Sequence, residues 1–230
     1  MRQNLIPGIA LLILGLTILF GYYLHDPTQH KLDQLAQFKD RWGFIYSMIS
    51  TSIFGGLIPL LFMQLRRDMR GWKTLKHLPW MIIFWASKGF EFDLLYRVQA
   101  WIWGEGVSVG TVAIKTTVDQ LIYVPFWAVP TIVFGYLLMD VNYNLREFRR
   151  RLGKHWFRDR AFPTMVSNWG VWVPAVIIIY SLPLGLQVPT QNLVQCMFSL
   201  MLLFVMKTET ADATEVAPGI ESPASDSDPT

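Results

Sequence analysis

The sequence predicts an all-α, polytopic transmembrane bundle of about six membrane helices, the fifth broken by proline, with one basic interfacial helix beside them. Three observations carry this. Hydrophobic residues make up 52% of the 230 residues and charged residues only 16%, where a soluble domain carries about 25% charged residues. Apolar runs long enough for a helix to cross a hydrocarbon core of roughly 30 Å recur along the chain. Lys and Arg gather in two short connecting segments, as they do in loops held on one side of a membrane. Ten Trp and eight Tyr suit the headgroup region, where amphipathic rings settle.

The first apolar run, Leu5 to Leu24, carries no charge and reads as an uncleaved anchor, since it ends in GYYLHD without a small-residue cleavage site. Residues 25–41 are polar, with Leu32, Leu35 and Phe38 at helical spacing, so a short surface helix is expected there. Trp42 to Leu65 forms the second span, with Gly55, Gly56 and Pro59 inside it; small residues permit close helix approach, and neighbours can satisfy a carbonyl freed by proline. The first basic segment follows, with Arg66, Arg67, Arg70, Lys73 and Lys76.

Pro79 to Trp103 is the third span, a Gly-rich turn covers 104–110, and the fourth span runs from about Thr111 to Met139 with Pro125 and Pro130 inside it. The second basic segment, Asn144 to Arg160, sets Leu145, Phe148, Leu152 and Trp156 along one stripe. Its other face carries Arg146, Arg149, Arg150, Arg151 and Lys154, which suits a helix lying in the interface against anionic headgroups. Met165 to Leu186 is the fifth apolar stretch, interrupted by Pro174 and Pro183, and Val188 to Met206 is the sixth. The acidic residues 208–230, lacking aromatics, read as a disordered tail. With the N-terminus inside, both basic segments fall on the inner side and the turn at 104–110 outside.

Charges at bilayer depth cost a few kcal/mol each unless compensated, so they are the functional candidates. In the third span Lys88 and Glu91 are three apart, and Asp93 and Arg97 four apart, so each pair shares a helical face. Tyr96 stands three residues after Asp93 and offers a phenol to the same face. In the fourth span Lys115 and Asp119 are four apart, with Gln120 adding an amide. Two readings stay open: these groups lock helices together as neutralised bridges, or they line a hydrated passage for ions or small solutes.

Catalysis has little support. There is no GxSxG elbow, phosphate-binding loop, GxGxxG or paired-His spacing, and Glu91 and Asp93, two apart on a helix, cannot face one site together. No metal or other cofactor is expected: the four His are scattered and the lone Cys196 sits in an apolar run. Nucleic acid is not an expected partner, since apolar spans flank the basic helix.

The run KTTVDQLIYVP, Lys115 through Asp119 and Gln120 to Pro125, resembles the K-x-x-x-D-Q-x-x-x-x-P signature of the peroxisomal membrane protein (twenty-two kilodalton) family that includes Mpv-seventeen. Upstream, Gly89 and Tyr96 fall in the register of that family's G-P-x-x-H-x-W-Y, with Phe90, Asp93 and Leu95 at its Pro, His and Trp. Downstream, Phe162 and Pro163 followed by Asn168 to Trp172 are similar to its aromatic-Pro and N/W-x-x-W stretches. Departures gather late, where Gln187 stands at a family Arg and Phe198 and Ser199 at a family W-N.

The resemblance covers roughly residues 43–207, leaving 1–42 as an added anchor and polar loop and 208–230 as an added tail. It implies an integral membrane protein whose relatives are described as nonselective or weakly selective channels, here for small solutes or metabolites. The expectation is therefore a noncatalytic multi-pass protein, a channel or alternatively a scaffold binding lipid or partners. Its partners would be the bilayer, small solutes or ions, and a homo-oligomer is left open. The bacterial cytoplasmic membrane suits it best, with a mitochondrial inner or peroxisomal membrane as the alternative.

Overall fold

The structure, a computed structural model, describes residues 5–65 and 74–215. Those residues form helices joined by short turns, with no strand among them. The first helix, α1, spans Leu5–Leu24, the full length of the first apolar run. After His25 the chain bends by 104° into α2, Asp26–Trp42, which has a proline in its first turn. Proline is well placed there, where its missing N–H would have no helical partner. The segment expected as a surface element is therefore a helix of five turns packed on α1 and on the chain's last helix, and its Lys39 is fully buried. Gly43, at φ +52°, ends α2 and turns the chain into α3.

The second apolar run is one continuous helix in three parts: α3, Phe44–Thr51, a π-helical stretch, Ser52–Leu57, and α4, Ile58–Leu65. Its local cause is Pro59, which has no N–H and whose ring would meet the carbonyl four residues back. The ladder widens instead, and the Ile58 N–H reaches the Ile53 carbonyl, five residues back. A 3₁₀ turn, Thr74–His77, leads into α5, Leu78–Trp103, 26 residues long. At about 1.5 Å rise per residue this is a rod of about 39 Å.

Gly104, at φ +83°, ends α5, and Ser108 caps α6, Val109–Val118, by accepting the Thr111 N–H. The fourth run repeats the device of the second. A π-helical stretch, Asp119–Ala128, contains Pro125, the Val129 N–H reaches the Val124 carbonyl, and α7 completes the helix over Val129–Asp140.

The basic helix expected within Asn144 to Arg160 is shorter. Asn144 caps α8, Leu145–Leu152, with its side-chain oxygen on the Arg146 and Glu147 N–H groups, and Gly153, at φ +70°, stops it. A π-helical turn, Phe157–Ala161, then enters α9, Phe162–Tyr180. The break in the fifth apolar stretch falls at Ser181–Pro183, and Pro174 stays inside the helix. The last helix, α10, starts at Leu184 with Pro189 in its interior and runs to Glu215, so the tail expected from residue 208 begins as helix. Residues 216–230, and Arg66, Arg67, Arg70 and Lys73 of the first basic segment, lie outside the described residues.

Among the described residues, two helical stretches are long and apolar enough to cross a membrane: Phe44–Gln64, 21 residues with mean hydropathy 1.7, and Val109–Asp140, 32 residues with 1.8. The bent pair Ile9–Leu24 and Asp26–Trp42 is a third if it forms one broken span. Six crossings are not established on this measure, and α5 does not join the set because Lys88, Glu91, Asp93 and Arg97 interrupt its apolar face. Large apolar side chains nevertheless stand fully outward, among them Trp101 (85% exposed), Val109 (87%) and Phe126 (74%).

The long helices have two ends of different character. At one, Lys76 donates to the Asn142 side chain at 3.2 Å and His77 meets the Tyr143 hydroxyl at 3.0 Å, so the end of the first basic segment lies beside the start of the second. At the other is the turn of residues 104–108, which carries no Lys or Arg.

The candidate site: a buried polar seam and a cavity beside Asp119

The candidate residues of α5 divide between opposite sides of the helix. Asp93, wholly buried, accepts from Lys39 Nζ at 3.0 Å and Arg97 Nε at 2.9 Å on Oδ1, and from Ser47 Oγ at 2.8 Å on Oδ2. The Asp93–Arg97 pairing expected from spacing is present. Lys39, which no local spacing could reveal, comes from 54 residues earlier in the chain. Arg97 also lies over the Phe44 ring, 5.0 Å from its centroid, a cation–π contact. Two cations and a hydroxyl thus compensate one buried carboxylate, and three elements, α2, α3 and α5, meet there.

On the other side, Lys88 Nζ reaches both oxygens of Glu91, at 2.9 and 3.0 Å, and the Thr131 hydroxyl of α7. The Tyr123 hydroxyl of the π-helical stretch donates to Glu91 Oε1. Glu91 and Asp93 join different networks, as their spacing requires. Each ties α5 to a neighbour, so these four charges act as helix fasteners in contact with one another.

The fourth-span pair does not form. Lys115 is buried but turns its ammonium toward the Tyr180 ring, 6.0 Å from the centroid. Asp119 instead receives the Tyr180 hydroxyl on Oδ2 at 2.9 Å and Gln120 Nε2 on Oδ1 at 2.9 Å. The backbone does not part them, since the Asp119 N–H still reaches the Lys115 carbonyl; the carboxylate is taken by Tyr180 and Gln120 instead. Tyr180, at the end of α9, is held in turn by Gln99 Nε2 at 2.5 Å. Tyr96 does not meet Asp93; its hydroxyl donates to Gln191 Oε1 on α10 at 3.0 Å, and its ring meets Tyr180 edge-on at 5.4 Å.

Further along α10, Asn192 closes the seam by accepting from Thr51 at 2.7 Å and donating to Ser50 at 2.9 Å. Gln187, Thr190, Gln191 and Asn192 are all buried in this otherwise apolar segment. Their signal in the sequence is the tripeptide TQN, which averaging over a greasy window conceals.

A cavity of about 290 Å³ opens along this seam, between α5, the π-helical stretch with α7, α9 and α10. Its polar wall is Asp119, Gln120, Tyr96, Tyr123, Gln191, Gln195 and Ser199, and its apolar wall includes the aromatic rings of Trp85, Phe92, Tyr136, Trp172 and Phe198. Of the predicted candidates, Tyr96, Asp119 and Gln120 line it, whereas Lys88, Glu91, Asp93, Arg97 and Lys115 do not. One polar atom of the lining, Gln120 Oε1, is buried without a hydrogen-bond partner, as are Gln99 Oε1, Thr116 Oγ1 and Trp169 Nε1 elsewhere. Buried polar groups are nearly always paired, so Gln120 Oε1 is an exception on the cavity wall.

The basic helix is a separate surface. Arg146, Arg149, Arg150, Arg151 and Lys154 are all exposed. Glu147 receives Arg150 through two bonds, at 2.7 and 2.8 Å, and Arg151 at 2.8 Å, and these cations hold its carboxyl down at about 2. Among the described residues no cluster of His, Cys, Asp and Glu is arranged to hold a metal ion.

Among the described residues, fold and site together define an all-helical protein with two membrane-length apolar helices and a polar seam between its helices. Comparison with protein-family models, curated proteins and solved structures finds no match to the chain.

Proposed function

We propose that the chain is a multi-pass membrane protein, of about six crossings in the bacterial cytoplasmic membrane, that passes small solutes, and that it is a divergent relative of the Mpv-seventeen family. The observation that carries the reading is the cavity: a space of about 290 Å³ among the helices, bordered by Asp119 and Gln120 of the K-x-x-x-D-Q run. It is at the small end of ligand-sized sites, which span roughly 300–1,000 Å³. The solute path runs past Asp119, and Lys88, Glu91, Asp93 and Arg97 hold the surrounding helices in place.

The competing scaffold reading draws on those same fasteners, since Asp93 with Lys39 and Glu91 with Lys88 are satisfied by protein partners and do not line this cavity. Flux from liposomes separates the two. Reconstituted protein is expected to release a small entrapped solute, and folded Asp119→Asn to lose most of that release. Absence of flux across a range of voltage and pH would leave the scaffold.

A further inference from the structure

We infer that the cavity beside Asp119 is a binding site for a small organic cation, a primary ammonium carried on an apolar or aromatic body. Asp119 is 4% exposed, and among the described residues no Lys or Arg nitrogen lies within 4.0 Å of its carboxylate. Its two hydrogen-bond donors, Tyr180 and Gln120, are neutral. The other buried carboxylate of the bundle, Asp93, has two cations, so the seam holds one compensated and one uncompensated acid. An isolated ionised group is costly to bury, and a cationic ligand removes that cost.

The nearest orphan atom has the same preference. An ionised carboxylate only accepts, so the amide nitrogen of Gln120 must face Asp119, and its oxygen is left without a partner. An ammonium carries three N–H donors and can serve both Asp119 and Gln120 Oε1. The remaining wall suits the rest of such a ligand: the rings of Trp85, Phe92, Tyr123 and Trp172 offer apolar area and negative π-faces. Lys115 does not fill this role, because its ammonium is spent on the Tyr180 face, away from the cavity lining.

The inference rests on the solute-passage reading for how the ligand arrives, and its test is binding, so the two can fail separately. Full-length protein in lipid nanodiscs is titrated by calorimetry with 2-phenylethylammonium and with 2-phenylethanol, a neutral molecule of nearly the same shape. The cation is expected to bind about tenfold or more tightly, the gain of a charge-assisted hydrogen bond, and Asp119→Asn to erase the preference. Equal affinities, no binding by either, or an undiminished preference in folded Asp119→Asn would overturn it. The wild-type comparison stands if that variant does not fold. Selective binding without flux supports the site and counts against the passage.

Discussion

At the residue scale, the best-defined interaction is the one Asp93 makes with Lys39, both fully buried. Breaking a buried ion pair by removing one partner costs about 3–5 kcal/mol, because the other charge is stranded. Asp93→Asn is expected to destabilise the protein by that order in detergent denaturation. Adding Lys39→Met should restore part of the loss, since it removes an ammonium left with only the exposed Asp40 carboxylate, 3.5 Å away, while keeping the length of the side chain. A double variant no more stable than Asp93→Asn would show that Asp40 alone compensates Lys39.

Glu147 is a second residue with a definite expectation, on a surface open to solvent. Its carboxyl is held at about 2, below the ordinary 4.5, first by the hydrogen bonds from Arg150 and then by those from Arg151. The pinned state therefore contributes fully above about 4.5 and is lost as pH falls through about 2. Carboxyl-carbon NMR should find Glu147 still ionised at pH 4; a midpoint near 4.5 would mean that the clamp does not hold in solution. Because Arg150 and Arg151 are engaged by Glu147, Arg146 and Arg149 are the arginines of α8 outside that clamp.

At the scale of elements, the contact between α3 and α5 depends on Gly89. A Cβ placed there would be driven into the Ser47 carbonyl, a backbone atom that cannot step aside as a side chain can. Gly89→Ala should therefore force the helices apart and cost about 1–3 kcal/mol, with the Ser47–Asp93 bond beside it weakened. Gly106, with open space around its Cα, is the control: Gly106→Ala should change the melting temperature little.

Elements also show what could be read from the chain alone. Lys88–Glu91 and Asp93–Arg97 were legible because both partners lie within one turn of a helix, where spacing is geometry. Lys39 was not, because its partner is 54 positions away and only the sharp bend after α1 brings α2 alongside. Lys115–Asp119 had the right spacing and still failed to pair, because Tyr180 supplies a donor to Asp119 from a different helix and Lys115 turns its ammonium to the Tyr180 ring. Helix identity was read well where runs were long and apolar; the breaks moved because Pro174 and Pro189 are accommodated inside helices, whereas Pro183 sits in a true interruption.

At the scale of the whole molecule, Lys76 at the end of the first basic segment bonds Asn142, just before the second, and the long helices carry the chain to a base-free turn at 104–108. If the bundle crosses a bilayer, those ends face different compartments. Cys196 is the chain's single cysteine and is buried, so with Cys196→Ala as background, single cysteines at Gly106 and Lys154 give a clean assay. Membrane-impermeant maleimide added to intact vesicles is expected to label one and spare the other. Labelling of both from the same side would refute the transverse arrangement.

The widened turns at Ser52–Leu57 and Asp119–Ala128 have a consequence for how the two helices are phased. A helix that fits more residues into a turn has, in effect, absorbed a residue without lengthening its neighbours' spacing, and in an ordinary α-helix one residue corresponds to about 100° of rotation. Losing a single residue inside Asp119–Ala128 would therefore twist everything before it relative to everything after it. Asp119 would swing off the Tyr180 hydroxyl while the remainder of the helix stayed seated, so the chain's ability to hold a carboxylate at that spot depends on carrying one surplus link.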